Sequence, residues 1–220
     1  MADTMTGSCV VIDEANQLPP LEPTAEEIKQ MLLVIEDEIL SKTTGGVSSG
    51  NKVFGAAVLK EDFSLDYAET NAETVCPIFH GEVHCIYQWS KRTPANLRGP
   101  IAQKSVFLST HEPCMMCISS IVWAGFRKVY YFFPYSKTTE QGIPHDIQTM
   151  HELWGVPTYR KQNKYCSTAC LIELIDKLEE GEEKDELKAI EKRLTGVYDS
   201  LSEKYHTEKA SNPNNSLVLG

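Results

Sequence analysis

The chain has 220 residues, of which 41% are hydrophobic and 24% are charged, a composition typical of a globular protein with one substantial domain. Its formal net charge of -10 disfavours a nucleic-acid partner, because phosphate groups are bound by clustered Lys and Arg side chains. No stretch approaches the roughly 20 consecutive apolar residues of a membrane span, so we expect no membrane partner.

The first 22 residues are polar and end close to the pair Pro19-Pro20, which indicates a flexible N-terminal arm over 1–22. They show no basic region followed by an apolar run, so we expect no signal peptide. The cysteine count is seven, an odd number, and two of the cysteines have the spacing of metal ligands. These features predict a cytoplasmic protein with reduced thiols.

The first predicted helix covers residues 25–42. It is preceded by Thr24, which forms a capping-box pattern with Glu27, and its apolar residues recur at helical spacing. Residues 43–50 are rich in Gly and Ser and are predicted to form a flexible break. Further strands are predicted at 53–59, 64–70, 105–109 and 128–133, and further helices at 80–91, 114–124, within 142–154, at 170–180 and at 185–205.

Strands that alternate with helices predict an α/β fold, in which helices cover a central sheet. We divide the chain into an arm (1–22), a main domain (23–160), a helical extension packed on that domain (161–208) and a tail (209–220).

Two short motifs carry the predicted chemistry. The first is His80-Gly81-Glu82, and the second is a Pro-Cys-x-x-Cys motif that contains Cys114 and Cys117. Cysteines three positions apart lie on one face of a helix and bind one metal ion, and a helix start favours the thiolate form. His80 would be the third ligand of a catalytic Zn²⁺ site, which keeps its fourth position open, and Glu82 would be an unligated acid/base group.

His84 offers a different arrangement, because it lies one helical turn after His80. A metalloprotease helix has the order His-Glu-x-x-His, and Glu82 stands at the wrong offset for that motif. We therefore interpret His84 as a surface or packing residue.

The two motifs in this order resemble those of the cytidine and deoxycytidylate deaminase superfamily. The His-Gly-Glu triplet is similar to that of yeast-type cytosine deaminase. The sequence Glu112-Pro113-Cys114 is similar to that of guanine deaminases and tRNA adenosine deaminases. The resemblance covers about residues 25–155, and the loop at Gly142 that precedes the next helix is also similar to guanine deaminases.

The resemblance implies a three-layer α/β/α sandwich with a central mixed sheet, to which C-terminal helices are added. It also implies zinc held by His80, Cys114 and Cys117, with Glu82 transferring a proton from water to a ring nitrogen before ammonia leaves. Relatives hold the substrate through the backbone N–H next to the zinc histidine, which here is Gly81. They also hold it through an asparagine on the preceding loop. Asn71 is the nearest match, at shorter spacing; alternatively it caps a turn.

Other polar and aromatic residues have two interpretations. Glu112 supports the ligand loop or is a surface charge, and several residues either line the pocket or pack elsewhere: His111, Trp123, His145, Asp146 and His151.

The function predicted from these features is zinc-dependent hydrolytic deamination of a free nucleobase, nucleoside or related small amino-heterocycle. Deamination of tRNA or another nucleic acid is an alternative, and so is a non-catalytic module in which zinc is structural. The resemblance implies a homodimer.

Overall fold

In the computed structural model, residues 14–215 are described. Most of the predicted arm and the last residues of the predicted tail therefore lie outside the described residues. The described part of the arm lies against the segment 163–167. The Leu18 N–H donates to the Asn163 carbonyl at 3.0 Å. The Ser167 hydroxyl donates to the Pro19 carbonyl at 2.7 Å.

A mixed sheet of five strands forms the centre of the fold, in the order β2-β1-β3-β4-β5. β1 pairs antiparallel with β2 and β3, whereas β4 pairs parallel with β3 and β5. The strands are β1 (Gly55–Leu59), β2 (Leu65–Thr70), β3 (Val106–His111), β4 (Lys128–Phe133) and β5 (Ser167–Cys170).

Helices cover both faces of this sheet, which confirms the predicted α/β sandwich. The helices are α1 (Ala25–Val34), α2 (Leu40–Ser48), α3 (Gly81–Arg92), α4 (Ala95–Lys104), α5 (Met115–Ala124), α6 (Tyr135–Glu140), α7 (His145–Trp154), α8 (Leu171–Asp176) and α9 (Glu182–Glu208). Because side chains alternate along a strand, Ala57 and Leu108 join one apolar core with α1 and α9. Val58 and Phe107 join a second core with α3 and α5.

The first helix is longer than predicted. The capping box is confirmed, since the Glu27 N–H donates to Thr24 Oγ1 at 3.2 Å and the Thr24 N–H donates to the Glu27 carboxylate at 2.7 Å. A π-helical turn (Ile35–Ile39) then joins α1 to α2 without a gap. The predicted break at 43–50 is wrong, because Thr43 and Val47 are buried and hold this Gly-rich segment in helical form.

Three elements were missed: α4, α6, which has only six residues, and β5. α4 contains Gly99 and Pro100, which disfavour a helix interior. β5 has only four residues, and β4 supplies its pairing partners in the sheet.

Residues 161–208 are not purely helical, because β5 completes the sheet before α8 and α9 begin. α9 packs on the core through one apolar stripe, which includes Leu187, Ile190, Leu194, Tyr198 and Leu201. Val197, by contrast, is 37% exposed. Among residues 14–215, no helix is both long enough and apolar enough to cross a membrane.

Candidate zinc site

The predicted metal ligands meet where two helices begin on the same face of the sheet. His80 is the N-cap of α3, and Cys114 is the N-cap of α5. His80 Nδ1 lies 3.7 Å from Cys114 Sγ and 3.6 Å from Cys117 Sγ. The three ligand atoms lie within 4.8 Å of one another, and one imidazole with two sulfurs is a donor set that Zn²⁺ takes in catalytic sites. These residues fit a zinc ion.

The protonation of this group is set by its own members. A hydrogen bond from Cys117 lowers the pKa of Cys114, and burial raises it by less. Together with His80, the hydrogen bond holds the pKa of Cys114 well below its ordinary value. Burial lowers the pKa of His80, but the neighbouring Cys114 raises it overall to about 9. Burial raises the pKa of Cys117. Because zinc takes thiolates and a neutral imidazole, the ion would displace protons from this group when it binds.

Glu82 lies in the first turn of α3, directly beside the ligands. Its side chain is buried, and the Ser109 hydroxyl donates to Glu82 Oε1 at 3.1 Å. Burial, followed by the charge of Cys114, raises the pKa of Glu82, whereas His80 lowers it. A buried carboxylate that ligates no metal is a strongly perturbed group, which is typical of a functional site.

Gly81 lies where α3 approaches the sheet most closely. A Cβ atom added to Gly81 would lie 2.8 Å from the Cα atom of Gly55, so only glycine fits between His80 and Glu82 without movement of the backbone. The close approach explains the His-Gly-Glu sequence in steric terms.

The polar groups of Asn71 and Gly81, both predicted to contact substrate, bond to each other. The Gly81 N–H donates to Asn71 Oδ1, and Asn71 Nδ2 donates to Glu73 Oε2 at 2.8 Å. Asn71 is only 2% exposed, so this bonding holds it behind the ligands. Substrate contact by Asn71 and Gly81 stays a prediction.

A cavity of about 400 Å³ opens in front of the ligands. We call the side formed by His80 and Cys114 the inner wall, and the side formed by residues 143–154 the outer wall. The outer wall includes Ile143, His145, Asp146, Leu153 and Trp154, and Lys52 and Met115 also line the cavity.

Asp146 is the acidic group of the outer wall. Burial, and then the charge of Cys114, raises its pKa well above the ordinary value, whereas His80 and Lys52 lower it. A carboxyl group held in its neutral form is able to donate as well as accept hydrogen bonds.

Several residues proposed for the pocket lie elsewhere. His111 is buried behind the site, bonds to Gln141 at 2.9 Å, and has its pKa lowered to about 3 by burial. Trp123 is 90% exposed, and His151 lies 3.4 Å from the Pro157 carbonyl. His84 packs against β2, with Nδ1 2.8 Å from the Thr70 carbonyl, outside the ligand group.

Glu112 supports the ligand loop. Its carboxylate accepts from the Tyr135 N–H at 3.1 Å and pairs with Lys161. The Tyr135 hydroxyl in turn donates to the Pro113 carbonyl at 2.6 Å, next to Cys114. Glu112 is therefore buried and is not a surface charge.

The fold and this site fit a zinc-dependent deaminase. The sequence model of the zinc-binding region of cytidine and deoxycytidylate deaminases matches residues 34–133, which contain all three ligands and Glu82. Residues 34–133 therefore carry the zinc-binding region of the cytidine and deoxycytidylate deaminase superfamily.

Solved structures of deaminases share parts of this arrangement. Guanine deaminase from Nitrosomonas europaea is 15% identical, with a TM-score of 0.47 over 91% of this chain and 98% of that chain. Guanine deaminase from Bacillus subtilis is 23% identical, with a TM-score of 0.44 over 60% and 83%. A tRNA:A34 deaminase is 17% identical, with a TM-score of 0.41 over 62% and 98%. No significant match to a curated protein was found.

Proposed function

We propose that the chain hydrolyses the exocyclic amino group of a free nucleobase, nucleoside or related small amino-heterocycle and releases ammonia. The observation that carries the proposal is the buried carboxylate of Glu82, which lies beside His80, Cys114 and Cys117 without joining them. A purely structural zinc site has four protein ligands, and it does not require an unligated carboxylate beside them.

In the proposed mechanism, His80, Cys114 and Cys117 hold zinc at the inner wall. Zinc, when bound, lowers the pKa of a water molecule to about 7, so that hydroxide forms near neutral pH. Glu82 accepts the water proton at Oε2, while Ser109 holds Oε1 in place. Glu82 then passes this proton to a ring nitrogen of the substrate, and the hydroxide from the same water adds to the ring carbon that bears the amino group. Glu82 next transfers the remaining hydroxyl proton to the amino group, so that a C=O bond forms, the C–N bond breaks and ammonia leaves.

The charges around the cavity favour a substrate without phosphate. Lys52 is the lysine that lines the cavity, and its Nζ is paired with the carboxylate of Glu73 at 2.9 Å. Glu82 and Asp146, whose raised pKa values favour neutral carboxyl groups, add no positive charge. A phosphate would therefore meet little uncompensated positive charge, whereas an uncharged amino-heterocycle would not be repelled.

The test is ammonia release by the zinc-loaded protein from a panel of bases, nucleosides, the matching nucleotides and a folded tRNA. We expect release from at least one base or nucleoside and slower release from its 5′-phosphate. The Glu82→Gln variant, loaded with the same amount of zinc, is the matched control. Release from the tRNA alone, or none from any compound, would contradict the proposal.

We also propose a homodimer and a cytoplasmic location. Trp123, Leu153, Trp154 and Tyr165 are each at least 56% exposed, and apolar side chains of this size are common at interfaces between subunits. The six cysteines among residues 14–215 are free thiols, which suits a reducing compartment. Sedimentation of the wild type and of Trp123→Ser tests the dimer, since we expect the variant to dissociate at a higher concentration.

A further inference from the structure

Glu73 lies on the loop between β2 and α3, behind the proposed zinc ligands. Its side chain is 1% exposed, and its two carboxylate oxygens contact groups of three residues, Lys52, His80 and Asn71. Oε1 lies 2.9 Å from Lys52 Nζ and 3.7 Å from His80 Nε2. Oε2 accepts from the Lys52 N–H at 3.1 Å and from Asn71 Nδ2 at 2.8 Å.

Lys52 makes burial of this carboxylate possible. Its side chain is 7% exposed, and both its ammonium group and its backbone N–H face Glu73. A buried charge is tolerated when it is paired and hydrogen-bonded, and here a single residue supplies both interactions. The pair therefore places the carboxylate of Glu73 beside His80, with its charge balanced by Lys52.

Two connections run from Glu73 to the site. The first is the approach to His80 Nε2, on the far side of the ring from the Nδ1 atom that faces the sulfurs. The second passes through Asn71, whose amide nitrogen is held by Glu73 and whose oxygen accepts the Gly81 N–H. Glu73 thus restrains both the ligand ring and the first turn of the helix that carries Glu82.

We infer that Glu73, charge-balanced by Lys52, is a positioning residue that orients His80 for zinc. The inference rests on the zinc site of the proposed function. A zinc histidine that presents its second ring nitrogen to a carboxylate has a fixed ring orientation and greater basicity. The present separation of 3.7 Å is longer than a hydrogen bond, and zinc bound to His80 would make the Nε2–H group more positive and strengthen its attraction to Glu73.

The test is the affinity of Glu73→Gln for Zn²⁺, measured by competition with a chromophoric chelator. Glutamine keeps the size of the side chain but removes its charge, so we expect affinity to fall roughly 10- to 100-fold. The visible absorption of bound Co²⁺ should also shift, because it depends on ligand geometry. Leu194→Ala, which creates a cavity in the distant α9 core, is the control for general destabilisation.

Unchanged affinity in Glu73→Gln would overturn the inference, and so would an equal loss in Leu194→Ala. If Glu73→Gln does not fold because Lys52 is left unpaired, the double variant Lys52→Met/Glu73→Gln replaces it. We expect the same loss of affinity there, and wild-type affinity would overturn the inference. Zinc binding by the wild type in this assay separates failure of this inference from failure of the zinc site.

Discussion

The inner and outer walls of the cavity are built in different ways. The inner wall is formed by the starts of α3 and α5, both of which pack on the sheet, and Cys117 and Glu82 are almost fully buried. The outer wall is formed by a loop and α7, on which Leu153 is 75% exposed. The core therefore fixes the groups that we propose to react, whereas the groups that we propose to face the substrate lie on an element with fewer buried side chains. We therefore expect mutations of the inner wall to change catalysis and mutations of the outer wall to change substrate choice.

The largest effect is expected from Cys117→Ala. Removal of one sulfur leaves two protein ligands, and a site with two ligands binds zinc much more weakly than a site with three. We expect loss of stoichiometric zinc, measured by elemental analysis after dialysis, and loss of all ammonia release. Retention of both would show that the ion is held elsewhere.

Glu82→Gln should separate binding from catalysis on the inner wall. The glutamine amide cannot accept the proton, so we expect kcat to fall roughly 10²- to 10⁴-fold while zinc content stays at the wild-type level. Steady-state kinetics beside metal analysis checks both. A variant with normal kcat would exclude Glu82 as the acid/base group.

Gly81→Ala tests how tightly the inner wall is packed. The new methyl group meets the backbone of Gly55, and we expect the free energy of unfolding to fall by about 1–3 kcal/mol. Gly196→Ala is the matched control, because a Cβ at this exposed helical position in α9 meets no atom within 4 Å. That control should be neutral or stabilising, by up to about 1 kcal/mol in urea denaturation. Equal effects of the two changes would contradict the close packing.

The smallest effect is expected from Asp146→Asn on the outer wall. In the metal-free protein, the folded-state pKa of Asp146 lies above its unfolded value. The folded state therefore holds the proton more tightly, and stability is lost as pH rises through the interval between the two values. Asparagine stays neutral, so we expect the variant to be more stable than the wild type at pH 7. The two should be equal below about pH 4, where both states are protonated.

Thermal unfolding at the two pH values measures this difference. A variant that is less stable than the wild type at pH 7 would show that Asp146 is ionised in the folded protein. KM for the substrate, measured with zinc-loaded protein, should change more than kcat if the outer wall selects the substrate.

The sequence predicts the inner wall because its chemistry is local. A ligand pair at helical spacing, and a carboxylate two residues after a histidine, are visible without knowledge of the fold. Glu73 and Lys52 were missed, because 21 residues separate them and only the folded chain brings them behind His80. His145 and Asp146 were named as pocket candidates, but their position in the cavity depends on how α7 packs against α5. The Gly-rich residues 43–50 were misjudged for a related reason, since burial of Thr43 outweighs their weak helix propensity.

The π-helical turn lies on the opposite face of the sheet from the metal ligands, yet it contacts Gly55, which in turn contacts Gly81 next to His80. A Cβ atom added to Gly55 would lie only 2.3 Å from Ile39 Cγ2, and Gly55 in turn packs against Gly81. The contacts from Ile39 to Gly55 and from Gly55 to Gly81 therefore cross the sheet. At the two glycines the contact is made by backbone atoms, and no side chain is present that could move aside. Lengthening or shortening the first helix by one residue would therefore shift the histidine ligand, even though that helix contributes no donor atom.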